Sequence, residues 1–228
     1  MRKRVDNVPS YFHDRVEAGR LLAFELRRYA GRDNVLVLAL PRGGVPVGFQ
    51  VASELKVPLD VFLVRKLGVP GHEELAMGAI ASGGVRVLNE EVIRRIPISV
   101  DAIERVTAKE QLELRRRELA YRNDACPTGV SGKIVILVDD GIATGSTMCA
   151  AIAALRKQSP ARIIVGTPTA PRSCQKDLGP DVDELVVVTR PEPFYSVGQA
   201  YSIFDQTSDE EVRTLLARSK EWLRKDPS

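Results

Sequence analysis

Apolar positions along this chain follow two rhythms. Between residues 14 and 30, Val16, Leu22, Leu26 and Tyr29 recur at helical spacing with Arg and Glu between them, which predicts an amphipathic first helix. The rhythm then changes. Asn34 to Leu40 runs almost unbroken through Val, Leu and Ala before Pro41-Arg42-Gly43-Gly44, the pattern of a strand covered on both faces and closed by a tight turn. A helix is expected over 45–55 and a second strand over Leu59–Val64, ending at Arg65-Lys66. Leu75–Ala81 and Val85–Leu88 flank Ser82-Gly83-Gly84 as a hairpin would. Residues 89–122 read as helical and laced with charge, and Lys133–Val138 is the clearest buried strand. A helix from Ser146 to Lys157, a strand over Arg162–Thr167, a short helix near Arg172–Leu178 and a strand over Glu184–Val188 follow. A final helix starts near Ser208, with Glu210 and Glu211 in its first turn.

Strands alternating with helices predict an α/β fold: a doubly wound, mostly parallel central sheet flanked by helices. The whole of 1–228 reads as one domain, with a core over about 14–206, a helical insertion over about 89–122 and a C-terminal helix over about 208–224. The stretch Asn123–Gly132, rich in Pro, Gly, Ser and Thr, does not divide it, because parallel strands are expected on both sides.

Composition narrows the function classes. With 44% hydrophobic and 28% charged residues the chain can bury a core, and disorder is excluded as its general state. A net charge of +3 falls short of the basic stripe of a nucleic-acid binder and suits an anionic small molecule. Arg115-Arg116-Arg117 is interleaved with Glu104, Glu110, Glu113 and Glu118, the pattern of a solvated helix face. Cys126, Cys149 and Cys174 lack Cys-x-x-Cys spacing, so neither a disulfide framework nor a zinc site is expected. No apolar run reaches the ~18 residues of a membrane span, no apolar segment follows the basic Met1–Arg4, and a cytoplasmic location is the expectation.

The chemistry concentrates in Val135-Ile136-Leu137-Val138-Asp139-Asp140-Gly141-Ile142-Ala143-Thr144-Gly145-Ser146-Thr147. A buried strand ends in two acids, and a hydroxyl-rich turn bounded by glycines then opens a helix. Ligands of doubly wound sheets bind beyond the carboxyl ends of strands, where this loop must lie. Successive N–H groups at the helix start form an anion nest favoured by the helix dipole. Adjacent carboxylates would repel a bare phosphate, but they accept hydrogen bonds from vicinal hydroxyls and attract hydrated Mg²⁺. A diol beside a phosphate describes a ribose 5-phosphate. The loop has no Walker A lysine, which disfavours a nucleoside triphosphatase.

This segment resembles the phosphoribosyl-pyrophosphate motif of the type I phosphoribosyltransferases: a hydrophobic run, two acids, a short turn and Thr-Gly-x-Thr. The resemblance implies a Mg²⁺-dependent transfer of the 5-phosphoribosyl group from phosphoribosyl pyrophosphate to a nitrogen acceptor, a nucleobase with purine favoured, in nucleotide salvage. Asp139 and Asp140 would bind the ribose hydroxyls with the metal close by, and Ala143, Thr144, Gly145, Ser146 and Thr147 the 5-phosphate. Leu40-Pro41-Arg42-Gly43-Gly44 looks like the family's pyrophosphate loop, with Arg42, Gly43 and Gly44 on the leaving group and a cis peptide expected between Pro41 and Arg42. Lys66 is a second pyrophosphate candidate. The segment Leu67–Glu74 has the composition of a mobile loop closing over the reaction.

The resemblance also implies a small hood over the acceptor base. Pro193–Tyr201 is similar to the C-terminal hood of the 6-oxopurine enzymes, which places Tyr195, or Phe194, as the stacking aromatic. Two positions depart from that subgroup: Ala143 stands where its loop carries an Asp, and Ser202 where its hood often carries a metal-binding Asp. These departures keep open an alternative, a non-catalytic regulator that binds phosphoribosyl pyrophosphate on the same fold. A homo-oligomer, a dimer, is the expected assembly, with no membrane partner and no nucleic acid expected.

Overall fold

The computed structural model describes residues 12–122 and 127–225. Cys126 and the basic Met1–Arg4 lie outside the described residues.

The first helix, α1 (Arg15–Leu26), starts where Asp14 caps it by accepting from the Glu17 amide, and it buries Ala18, Leu22, Ala23 and Leu26. Its extension by a short 3₁₀ turn (Arg27–Tyr29) buries Tyr29, as the helical periodicity predicts. Strand β1 (Val35–Ala39) and helix α2 (Gly44–Leu55) follow. Beyond β2 (Leu59–Val61) the chain leaves the parallel sheet and forms an antiparallel one from β3 (Val64–Val69), β4 (His72–Ala81) and β5 (Val85–Leu88). Helices α3 (Glu90–Arg95) and α4 (Val100–Arg122) fill the stretch read as a helical insertion. Then come β6 (Ile134–Val138), α5 (Ser146–Arg156), β7 (Arg162–Thr169), α6 (Cys174–Leu178), β8 (Glu184–Thr189) and α7 (Asp209–Lys225).

The central sheet has the order β2-β1-β6-β7-β8, all of its pairings parallel. Its middle strands β1 and β6 are buried at every position, which is why their sequences read as continuous apolar runs rather than alternating ones. Alternate residues feed two cores: Val35, Val37 and Ala39 face the α2 side, while Leu36, Leu38 and Leu40 face the α5 side. After β1 the chain moves outward to β2, and it returns on the other side of β1 as β6. The β1–β6 boundary is therefore the topological switch point, where an open α/β sheet leaves a crevice at its carboxyl edge.

One expectation is corrected. The strand read as Leu59–Val64 ends at Val61, and Arg65 and Lys66 lie inside β3, with Lys66 opposite Ala79 of β4. The segment read as a mobile loop, Leu67–Glu74, consists of the end of β3, a tight turn at Pro70-Gly71 and the start of β4. Among the described residues no helix is long and apolar enough to cross a membrane, and Cys149 and Cys174 are free.

Candidate active site

Two loops meet at the switch point. The first leaves β1 at Leu40, whose amide donates to the Val138 carbonyl at 2.9 Å, so the start of the Pro41–Gly44 turn is stitched to the end of β6. The Pro41–Arg42 peptide is cis, as the resemblance implies. The second loop carries Asp139 and Asp140 off β6.

The fit between these loops is steric. Gly43 has ordinary right-handed helical dihedrals (φ −59°, ψ −32°), so its backbone conformation does not demand glycine. Space does. A Cβ at Gly43 would stand 2.0 Å from the Asp140 Oδ2, and one at Gly44 would stand 2.8 Å from the Val138 carbonyl oxygen and 2.9 Å from the Asp139 Cα. The two glycines let the start of α2 lie directly against the paired acids.

The acids themselves are held firmly. The Asp140 amide donates to the Asp139 Oδ1 at 2.9 Å, and Asp140 Oδ2 accepts from the Arg15 Nε at 2.8 Å. Burial, and then the neighbouring Asp140 charge, pushes the Asp139 carboxyl well above the usual carboxylate range. Burial also raises Asp140, against the opposing pull of Arg15. The Tyr201 hydroxyl donates to the Asp140 carbonyl oxygen, and burial followed by the Asp140 charge pushes its pKa upward.

Past the acids, Ile142 is buried and its amide donates to the Thr169 carbonyl at 2.9 Å, fixing the loop to β7. Gly145 has φ +74°, a left-handed conformation that favours glycine, and it opens α5. Ala143, Thr144, Ser146 and Thr147 are exposed around it, and the Thr144 and Ser146 hydroxyls lie 3.3 Å apart. The Cys149 amide donates to the Gly145 carbonyl as the first turn of α5 forms. The preceding amides thus have no partner within the helix, which is the condition for anion binding at a helix start.

On the far side, Arg42 Nη1 lies 3.7 Å from the Asp209 Oδ1, at the first turn of α7, and the same oxygen accepts from the Tyr121 hydroxyl of α4 at 2.6 Å. Lys66 is not gathered with Arg42 on a parallel-strand end; its neighbour Arg65 pairs with Glu110 of α4. Tyr195 is 82% exposed and Phe194 half-buried. They sit on a turn in which Gln199 accepts from the Tyr195 amide and donates to the Pro193 carbonyl. That turn is seated on the Asp139–Thr147 loop: a Cβ at Gly141 would fall 2.2 Å from the Val197 Cγ1.

Sequence reasoning missed Arg15, Asp209 and Tyr121. Arg15 and Tyr121 look like ordinary helix residues, and each meets its partner only through contacts distant in sequence. The Asp139–Thr147 loop was visible because all of its parts are local.

A family model described as the phosphoribosyl transferase domain matches residues 11–196. The chain belongs to the phosphoribosyl transferase domain family. Two Mycobacterium tuberculosis proteins, from strains CDC 1551 / Oshkosh and H37Rv and both provisionally named phosphoribosyl transferases, are 44% identical over 208 residues. These relatives are longer: the match covers 91% of this chain and 47% of theirs, so the chain spans about half their length. The crystal structure of TT1426 from Thermus thermophilus superposes with a TM-score of 0.83 at 38% identity, covering 91% of this chain and 98% of that one. The parallel sheet and its flanking helices are thus the phosphoribosyl transferase fold.

Proposed function

We propose that this chain transfers the 5-phosphoribosyl group of phosphoribosyl pyrophosphate to a nitrogen acceptor, a nucleobase with purine favoured, and releases pyrophosphate. The observation that carries the reading is the steric match of two motifs distant in sequence: Gly43 and Gly44 leave room for nothing but the backbone and carboxylates of Asp139 and Asp140. The pairing of β1 with β6 brings the two loops together at the carboxyl edge of the sheet, where one ligand can span both.

In this reading the amides and hydroxyls of Ala143–Thr147 hold the 5-phosphate at the start of α5. The Asp139 and Asp140 carboxylates accept the ribose hydroxyls and so fix the ring. Arg42 and the amides of Gly43 and Gly44 hold the pyrophosphate and stabilise the negative charge that grows on it. The C1–O bond to pyrophosphate breaks with its electron pair on the departing oxygen, and the acceptor nitrogen forms the new bond to C1. The sugar carries cationic character between the two events, as in glycoside chemistry. Tyr195, helped by Phe194, offers a stacking face for the acceptor, an interaction worth about 1–3 kcal/mol.

Two adjacent, half-buried carboxylates whose charge is disfavoured fit a divalent cation carried in by the substrate. The remaining ligands of such a cation, in this reading, are phosphate oxygens and water. Mg²⁺, when bound there, neutralises part of the leaving group's charge. Lys66 is kept as a second pyrophosphate contact, reached from β3 rather than from a parallel-strand end. The exposed Leu112 and Leu119, seven residues apart on one face of α4, are where a second copy of the chain would pack in this reading.

The test is pyrophosphate release over a panel of purines and pyrimidines with and without Mg²⁺, repeated with Asp140→Asn. Turnover that needs Mg²⁺ and is lost in the variant is the expected result. No turnover with any base, alongside tight calorimetric binding of phosphoribosyl pyrophosphate, would replace this reading with that of a non-catalytic regulator.

A further inference from the structure

Arg15 meets the sugar loop from the opposite end of the sequence. Its Nε donates to the Asp140 Oδ2 at 2.8 Å, and the two side chains are only 12% and 14% exposed. Its Nη1 donates to the Asp205 carbonyl at 2.7 Å, and its guanidinium carbon lies 4.0 Å from the centre of the Phe204 ring and 5.9 Å from that of Tyr201. The approach of α1 to this point is fixed by backbone pairing: the Phe12 amide donates to the Ala200 carbonyl, and the Ser202 and Ile203 amides donate to the carbonyls of Phe12 and His13. Tyr201 closes the ring of contacts by donating to the Asp140 carbonyl and stacking on Phe204 at 4.9 Å.

We propose that Arg15 is a positioning residue of the phosphoribosyl site, orienting the Asp140 carboxylate for the ribose hydroxyls and locking the Tyr201–Asp205 segment to it. The inference rests on the functional reading above. Asp140 Oδ2 occupies the space that the missing side chain of Gly43 leaves open, and the Arg15 Nε holds it there. A carboxylate has about four acceptor sites across its two oxygens, so one donor on Oδ2 orients the group and leaves capacity for hydroxyls. A guanidinium suits this task because its rigid fork can serve a carboxylate and a carbonyl while its face lies on an aromatic ring. An ammonium at the same place could keep the charge but not all three contacts. Since Tyr201–Asp205 directly follows the segment that carries Tyr195, one side chain joins the sugar carboxylates to the acceptor side.

Calorimetric titration of Mg²⁺ and phosphoribosyl pyrophosphate into wild type, Arg15→Lys and Arg15→Ala, with thermal melts of each, tests this. Affinity should fall about tenfold or more in Arg15→Ala, the loss associated with a charge-assisted bond of about 1.5–3 kcal/mol, and by an intermediate factor in Arg15→Lys. Millimolar guanidinium ion should restore part of the affinity of Arg15→Ala and none of that of Asp140→Asn, a rescue that a merely structural role does not produce. If Arg15→Ala does not fold, Arg15→Lys decides: wild-type affinity in a folded Arg15→Lys overturns the inference. Melting temperatures that drop while affinity stays unchanged overturn it as well. A wild type that binds no phosphoribosyl pyrophosphate at all overturns the functional reading itself, which distinguishes the two failures.

Discussion

Adding one methyl group at Gly43 should weaken the sugar site while leaving the fold in place. The new Cβ would stand 2.0 Å from the Asp140 Oδ2 and 2.6 Å from its Cγ. Moving that oxygen out to the 3.4 Å of ordinary contact requires a retreat of about 1.4 Å. Arg15 limits the retreat, because its ion pair at 2.8 Å would stretch beyond hydrogen-bonding range if it did not follow. Overpacking of this kind costs about 1–3 kcal/mol, which a folded domain tolerates, and the Gly43 dihedrals suit alanine. Function suffers as well, since a displaced carboxylate loses charge-assisted bonds to its ligand worth about 1.5–3 kcal/mol, about tenfold or more in affinity. Gly43→Ala should therefore fold, melt about 2–12 °C below wild type, and bind Mg²⁺–phosphoribosyl pyrophosphate more weakly, by about tenfold or more, in calorimetry. Gly129→Ala, where a Cβ would meet nothing within 4 Å, is the matched control and should change neither quantity. A Gly43→Ala protein with wild-type affinity would refute the claim that the two loops meet at one ligand.

Further outcomes follow from the same contacts. Gly141→Ala places a Cβ 2.2 Å from the Val197 Cγ1 and should lift the turn bearing Tyr195, raising the KM for the acceptor more than that for phosphoribosyl pyrophosphate in steady-state assays. Tyr121→Phe removes the 2.6 Å bond to Asp209, and at neutral pH should lower stability by about 1–2 kcal/mol in denaturant titrations. Burial, then donation to Asp209, pushes the Tyr121 hydroxyl from 10.0 up to about 12, so the folded state keeps a proton that the unfolded chain loses. That contribution is complete below pH 10, falls as pH climbs towards about 12, and should be missing from the melting profile of Tyr121→Phe. Arg122, 5% exposed, serves Asp60, Ser82 and the Val61 carbonyl; Arg122→Ala should cost about 3 kcal/mol in chemical unfolding, because it removes the cation paired with Asp60 and leaves that carboxylate only the amides of Val61 and Thr128.

What the sequence disclosed and what it hid divide along the range of the interactions. Strands β1 and β6 were legible because burial on both faces writes itself as an uninterrupted apolar run. The loop from Asp139 to Thr147 was legible because its strand, acids, left-handed Gly145 and helix start are consecutive. The β2–β3 boundary was hidden for the converse reason. Leu59-Asp60-Val61-Phe62-Leu63-Val64 is apolar at all but one position, so the point where the chain leaves one sheet for another carries no local mark. The turn at Pro70-Gly71 lies among exposed charged residues, so β4's first half, exposed from His72 to Leu75, resembled a loop. Asp209 was hidden because an acid is typical of a helix's first turn, and Arg15, a cation where the helix dipole disfavours one, because only the fold supplies Asp140 as its partner.

The same division bears on what the site can specify. On the side proposed for the sugar, the groups are held by rigid structure: Asp140 by Arg15 and by its amide's bond to Asp139, the loop by its Ile142 bond to Thr169, and Arg42 by an acid that Tyr121 also holds. Such rigidity suits a ligand whose charges and hydroxyls do not vary. On the side proposed for the acceptor, the aromatic face of Tyr195 is 82% exposed and rests on a turn held by the side chains of Gln199 and Ser196. A face of that kind contributes stacking, which every flat base can satisfy, and few directional bonds to choose among bases. In the proposed reading the place where the turn touches rigid structure is the Val197–Gly141 contact, and changes there should shift acceptor preference more than affinity for the sugar substrate.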